Sequence, residues 1–466
     1  VTDQQFEQAL ILSAAARAVR YLADIRDRRV APNSDAIERL HELGGPLPEG
    51  ETDPAIVLEM LDEIGSPATV ANAGGRYFGF VNGGALPATR AANVLAGAWD
   101  QNAALRIMSP TAAALEDISL AWLTELLSLP SECGGAFVTG ATMANVTCLA
   151  SARHRLLARL GWDVEAKGLF EAPALMVVVG DEVHVSLLKA LALLGLGRER
   201  VVRVETDAQG RVRAASLPRL TPATIVCLQA GNVNSGASDP FSEVCALARE
   251  AGAWVHVDGA FGLWAAASPA HKHLVSGMDR ADSWATDAHK WLNVPYDCGL
   301  AFVRDAEALR YAMQLQAAYL AAGSLREPMH LTPEASRRAR GVEVWAALRC
   351  LGRNGVAELI DRTCRHARRF ADGLTAAGWS VLNDVVLNQV LVAFRDNAHT
   401  ERVIAGVQKD GTCWCGGTMW KGRAAMRISV SSWATTTGDV DASLDAILAV
   451  AGRCDRSRDP FTEMAG

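Results

Sequence analysis

Several features are missing from this 466-residue sequence, and each absence narrows what the chain does. No window approaches the run of about 18 apolar residues that a bilayer-crossing helix needs, so no membrane partner is expected. The first residues, VTDQQFEQAL, carry neither a basic start nor an apolar core, and no secretory leader is read there. No run of Lys and Arg interleaves with aromatics, and the net charge is −7, which argues against nucleic acid as a partner. Neither G-x-x-x-x-G-K-[ST] nor G-x-G-x-x-G occurs, so a nucleotide is not indicated. The ten cysteines lie at irregular spacings, unlike a disulfide framework, and fit reduced thiols in the cytoplasm. Their one close pair, Cys413-Trp-Cys415, has no second pair and no histidines at ligand spacing, so no metal is expected. His271 and His273 read as a solvated loop.

What is present points to a large enzyme-like core. Half of the residues are hydrophobic, and the length favours more than one domain. Residues 1–74 repeat apolar positions at three- and four-residue steps, with Asp53 and Pro54 as a helix start, and predict a helical N-terminal arm. That arm has a wide apolar face and must lie on its own chain or on a partner subunit. Over 75–325, short Val/Ile/Leu-rich runs alternate with helical stretches. Strands of this kind are covered on both faces, which predicts an α/β domain with a mostly parallel, doubly wound sheet. Over 326–466, a long helical stretch followed by NQVLVAF and AAMRISVSS predicts a smaller α+β C-terminal domain.

Ligands of such sheets bind beyond the carboxyl ends of the strands, and four polar motifs fall there. In FVTGATMAN, Gly140, Ala141 and Thr142 stand where a strand hands over to a helix. Small residues there leave free N–H groups and a positive dipole end for a phosphate, although a plain small-residue turn would look the same. In WVHVDGA, Asp258 ends a strand, where a carboxylate is costly unless a cation pairs with it. In ATDAHKW, Lys290 is an amine that a desolvated pocket would activate toward an aldehyde. In GDEVHVSL, His184 could stack on a flat ring. A phosphate cradle, an acid for a ring nitrogen and an amine for an aldehyde are what pyridoxal 5′-phosphate (PLP) requires.

With these residues in place, the chain resembles the PLP-dependent group II amino-acid decarboxylases, the aromatic-L-amino-acid and glutamate decarboxylase kind. The similarity runs through GRYFGFVNGG, SPTAAALED, TGATMANVTCLASAR, DEVHVSLLKAL, LQAGNVNSGASDPF, WVHVDGAFGL, ADSWATDAHKWLNVPYDCG and MRISV. It implies PLP fold type I, the aminotransferase-like α/β fold, and a homodimer with the site at the subunit interface. It makes Lys290 the Schiff-base lysine, Asp258 the partner of the pyridine nitrogen and His184 the ring-stacking residue. Gly140, Ala141 and Thr142 become the phosphate loop. Asn232, Ala260, Asp287 and His289 complete the cofactor shell, and Asn82, Ala104 and Arg427 lie on the substrate side. Tyr319, on a loop that in relatives closes over the neighbouring subunit, becomes the general acid, with His289 as the lesser candidate.

The sequence departs from that pattern in three places. Asn232 replaces a more usual Thr, Asp287 replaces the Asn of the aromatic branch, and Ala104 replaces an aromatic residue. The implied reaction is loss of the α-carboxylate of an L-amino acid to give an amine, with an aromatic substrate slightly favoured. Decarboxylation of aspartate or glutamate, other PLP carbon–carbon lyase or aminotransferase chemistry, and non-catalytic PLP binding stay open. Asn102 and Arg106, in WDQNAALRIMSP, are pocket candidates whose alternative is simple helix packing.

Overall fold

The computed structural model of the chain describes residues 3–314 and 326–456. The N-terminal arm is helical, with a 21-residue helix over Asp3–Ala23 and shorter ones at Ser34–Glu38 and Pro54–Met60. The Pro54 helix starts as its sequence dictates. The Asp53 carboxylate accepts the Ala55 N–H, and proline fills a first-turn position where its missing N–H costs nothing.

Seven strands form the large sheet: β1 (Gly134–Val138), β2 (Met176–Gly180), β3 (Val202–Val204), β4 (Thr224–Gln229), β5 (Trp254–Asp258), β6 (Ser283–Asp287) and β7 (Gly299–Val303). Their order is β1-β7-β6-β5-β4-β2-β3, and only β7 runs against its neighbours. Successive side chains of one strand enter two different cores. Phe137, Val178, Val226, Val257, Trp284 and Phe302 join the cluster that holds Trp264 and Trp291. Residues on the opposite face of the same strands, Val138, Val177, Ile225, Trp254, Ala285 and Ala301, join the cluster packed under the helix Ala141–Arg159. Both faces are buried, so the strands are continuously apolar instead of alternating with polar residues.

The C-terminal part carries an antiparallel sheet ordered β10-β11-β9-β8, with β8 at Ser380–Val381, β9 at Gln389–Ala393, β10 at Gly416–Trp420 and β11 at Arg423–Ser429. The helix Gly341–Ala376 is broken at Gly352, whose φ of 58° sits in the left-handed region that glycine tolerates. Residues just after the arm dock on this sheet. The Phe78 N–H donates to the Trp414 carbonyl (2.9 Å), the Ser429 N–H donates to the Phe78 carbonyl (2.9 Å), and Phe78 meets Phe370 edge-on at 5.1 Å. No described helix is long and apolar enough to cross a membrane.

One buried ion pair locks the helix Pro110–Leu126 to the segment before the long helix. Glu116 is fully buried, and Arg337 meets both of its oxygens, at 2.7 and 2.9 Å. Removing Arg337 leaves the buried Glu116 carboxylate with only the longer contact to Arg326, at 3.4 Å. Arg337→Ala is therefore expected to cost roughly 3–5 kcal/mol in urea unfolding, and the double variant Glu116→Gln/Arg337→Met distinctly less. Equal losses in both would mean the pair carries no net charge compensation.

Candidate active site

The ATDAHKW motif is the end of β6 and the turn after it, and its tryptophan is an anchor. Trp291 is 1% exposed, and its indole N–H donates to Thr363 Oγ1 at 2.9 Å. Asn293 pins the same turn, donating to the Trp291 carbonyl (2.8 Å) and the Ser431 carbonyl (3.0 Å) and accepting the Trp433 N–H (2.8 Å). Gly83 lies so close that a Cβ there would collide with the Lys290 carbonyl. The amine is thus presented from a rigid turn, with its head near a buried acid.

That acid is Asp287, only 2% exposed. It lies 3.0 Å from Lys290 Nζ and 3.4 Å from His289 Nε2, and it accepts the Ala141 N–H at 2.6 Å. Ala141 is the first residue of the helix Ala141–Arg159, and Gly140 precedes it on extended backbone. Gly299 on β7 packs so tightly on the Gly140 backbone that no side chain fits between them. This brings the loop 140–142 and the Lys290 turn together, as expected from the motifs.

His289 takes its orientation from two neighbours. Its Nδ1 accepts the Cys298 N–H at 3.0 Å, which assigns the proton to Nε2, facing Asp287. Its ring also lies against Tyr296, 4.4 Å between centroids. Burial pushes the His289 pKa down, so the ring is neutral.

Asp258, at the end of β5, is 5% exposed. Asn145 Nδ2 donates to its Oδ2 (3.1 Å), and the Ala260 N–H donates to its Oδ1 (3.2 Å). His184 caps the helix Val185–Leu193, its Nδ1 meeting Ser186 Oγ at 2.7 Å. Burial lowers the His184 pKa; Asp258 and Asp287 pull it back up, while Lys290 and Arg427 push it further down. Those four charges therefore all act on one imidazole. Arg427, on β11, loses basicity through burial, and among the described residues its side chain's one hydrogen bond goes to Asn234 Oδ1 at 3.4 Å.

Other predicted residues have different surroundings. Asn232 spends its carbonyl on the Asn234 and Ser235 N–H groups (2.9 and 3.2 Å), holding its own turn. Asn82 accepts the Tyr296 hydroxyl at 2.8 Å. Ala104 is buried, its N–H tied to Asn102 Oδ1 at 3.1 Å. Asn102 also bonds Ser336 and Arg337, and Arg106 pairs with Asp117, so both pack helices and segments together. Tyr319 lies outside the described residues.

Sequence reasoning missed two groups. Tyr77, Phe80 and Trp414 stack (5.1 and 5.4 Å between centroids on Trp414), and Phe80 stands just before Asn82, which accepts the Tyr296 hydroxyl and so joins the stack to the His289 edge of the site. Nothing local marks this cluster, because Trp414 comes from a distant part of the chain. The second group, Asn145, His256 and Ser283, stands behind Asp258. His256 belongs to the same short motif as Asp258 and faces the same side of β5, which was the available signal.

His256 is fully buried, and burial pushes its pKa down to about 3. The native state keeps this ring neutral at a pH where an unfolded histidine binds a proton. Stability from that difference is complete above pH 6.5 and is lost as pH falls toward about 3. The parent protein should therefore lose melting temperature more steeply than His256→Gln between pH 6.5 and 4. Parallel curves would rule out a neutral buried His256.

Comparison with known proteins agrees with this geometry. Residues 76–396 match the pyridoxal-dependent decarboxylase conserved domain. An aromatic-L-amino-acid decarboxylase of Bacillus atrophaeus is 26% identical over 81% of this chain and 79% of that protein. An L-2,4-diaminobutyrate decarboxylase of Rhizobium meliloti is 29% identical over 86% of this chain and 83% of its own. An aspartate 1-decarboxylase of Aliivibrio fischeri is 34% identical, but over 51% of this chain and 46% of that protein. In fold, the chain is similar to the crystal structure of Oryza sativa TDC with PLP and tryptamine, with a TM-score of 0.89 at 23% identity, covering 97% of this chain and 99% of that one. With an acid, an amine, a neutral histidine and a helix N-terminus gathered at one sheet edge, and with the family domain matched across it, the chain belongs to the pyridoxal-dependent decarboxylases, PLP-dependent carboxy-lyases of amino acids.

Proposed function

We propose that this enzyme removes the α-carboxylate of an L-amino acid with an aromatic side chain, giving the amine and CO₂. The observation that carries the reading is the placement of Lys290 and Asp258 at the ends of the adjacent strands β6 and β5 and of His184 after β2 of the same sheet, with the Tyr77/Phe80/Trp414 stack on the Tyr296 side. The residues present fit PLP. Lys290 would bind its aldehyde, the amides that follow Ala141 in the first turn of the helix Ala141–Arg159, with Thr142, would receive its phosphate, and Asp258 would hold a proton on its ring nitrogen. Ala260 serves by ordering the Asp258 carboxylate through its N–H. Bound PLP supplies an electron sink for the pair left when the Cα–carboxylate bond breaks.

The chain's own residues do the rest. His184, neutral and fixed by its cap hydrogen bond, offers a flat face to the ring and a second nitrogen to the substrate carboxylate. Asp287 orients Lys290 and His289 together. Because both nitrogens of His289 are already committed to Asp287 and Cys298, Tyr319 is the better donor of a proton to Cα. Arg427 draws in the carboxylate of the substrate. Arg427 also supports a second reading, an acidic substrate, because a buried guanidinium without a carboxylate within 4.0 Å among the described residues can receive a side-chain carboxylate.

A homodimer is part of the proposal. The arm exposes Phe6, Ile11, Leu12, Val19 and Leu61, an apolar surface that a second copy would bury. A single species of monomer mass in light scattering would remove it.

Borohydride reduction of the holoenzyme followed by peptide mapping should label Lys290, and a label elsewhere would overturn the assignment. Across the twenty amino acids, CO₂ release should be fastest with an aromatic substrate. A fastest rate on aspartate or glutamate would select the second reading, and keto acid without CO₂ would reject decarboxylation. Tyr319→Phe should divert product from amine to aldehyde with oxygen uptake, and unchanged products would take Tyr319 out of the reaction.

A further inference from the structure

Behind Asp258 lies a buried chain of polar groups that nothing in the reaction outlined above uses. The Trp254 indole N–H meets Ser283 Oγ (2.9 Å), and Ser283 Oγ meets His256 Nδ1 (2.9 Å). His256 Nε2 meets Asn145 Oδ1 (2.9 Å), and Asn145 Nδ2 meets Asp258 Oδ2 (3.1 Å). Asn145, His256 and Ser283 are fully buried, and Trp254 is 3% exposed. The fold explains the alignment. Trp254, His256 and Asp258 occupy alternate positions of β5, Ser283 lies in the β6 register opposite His256, and the covering helix supplies Asn145.

The direction of every bond follows from the two ends. Indole can only donate and an ionised carboxylate can only accept. Asn145 must then turn its NH₂ to Asp258 and its carbonyl to His256. His256 must carry its proton on Nε2 and accept at Nδ1, so the Ser283 hydroxyl donates to Nδ1 while accepting from Trp254. Each donor finds an acceptor. An Asp258 that donated a proton from Oδ2 would reverse the chain and put the ring proton on His256 Nδ1. The Ser283 hydroxyl would then have no acceptor, since its only partners among the described residues are Trp254 and His256. Leaving a buried hydroxyl unpaired is costly. His256 itself stays neutral, its pKa pushed down to about 3 by burial.

We infer that Trp254, Ser283, His256 and Asn145 form a one-way hydrogen-bond relay that is complete only while Asp258 Oδ2 acts as an acceptor, and that positions the carboxyl group for the pyridine nitrogen. The inference rests on Asp258 being the partner of that nitrogen. The residues in the relay are positioning residues; none touches the cofactor. The same helix that offers its first amides to the phosphate delivers Asn145 one turn later, so a single element sets both ends of the cofactor. The other titratable groups acting around Asp258 are His184 and the buried thiols Cys148 and Cys227, both raised well above their usual range by burial.

Four variants of the full-length protein test the relay: Ser283→Ala, Ser283→Thr, His256→Phe and Asp258→Ala. The readouts are PLP affinity, the pH midpoint of the bound cofactor's absorbance, and the melting temperature without cofactor. Loss of one neutral hydrogen bond of the relay is expected to weaken PLP binding about fivefold in Ser283→Ala and His256→Phe, with a displaced pH midpoint. Ser283→Thr, which keeps the hydroxyl, should restore both. The relay is overturned if Ser283→Ala and His256→Phe bind PLP with the parent's affinity and midpoint, whatever their melting temperatures. It is also overturned if Ser283→Thr fails to rescue. If Asp258→Ala leaves affinity and absorbance unchanged, the assignment of Asp258 fails first. Asp258→Ala altering both while the relay variants do not would leave that assignment standing and remove the relay alone.

Discussion

A carboxylate at the buried end of a central strand is the constraint on which this molecule's architecture turns. Asp258 and Asp287 end neighbouring strands, both nearly sealed from water, and an uncompensated buried charge is costly. The chain meets that cost in two ways. Asp287 draws on an amine, an imidazole and a helix-terminal amide within its own corner. Asp258 receives neutral donors, Asn145 and the Ala260 N–H, and no cation among the described residues lies within 4.0 Å of it. The face of Asp258 that remains is therefore suited to a cation brought in from outside, which is what a protonated pyridine provides.

The rigidity of the surroundings follows from the same need. Trp291, Asn293, Gly83 and Gly299 each exclude movement of the lysine turn or the loop at 140–142. Tight packing of this kind, with the direct contact of Lys290 to Asp287, keeps the amine in place, and transition-state charge is best stabilised by groups that need not reorganise. The proposed substrate side is built differently: Asn234 and Arg427 meet there from positions 193 residues apart in the chain.

Much of the site was legible because the chemistry sits in short segments at strand ends. A strand ending in Asp258, a turn carrying Lys290 and a strand-to-helix turn at Gly140 each declare a role locally, and apolar runs without alternation declare a sheet covered on both faces. Asn232, Asn102 and Arg106 show where local reading is limited. A polar side chain in a promising motif can be consumed by its own turn or by a neighbouring helix, and only coordinates reveal where its hydrogen bonds go.

The sequence by itself determined the reactive groups and their attachment to strand ends, because hydrophobic periodicity and residue chemistry are local properties. Only the tertiary structure decided which polar atoms face each other: that Asn145 reaches Asp258, that Ser283 stands beside His256, and that Trp414 closes on Tyr77. The reason is physical. Register between strands and the seating of a helix on a sheet are fixed by packing summed over the whole core, and a hydrogen bond a few tenths of an ångström long or short depends on that sum rather than on any one segment.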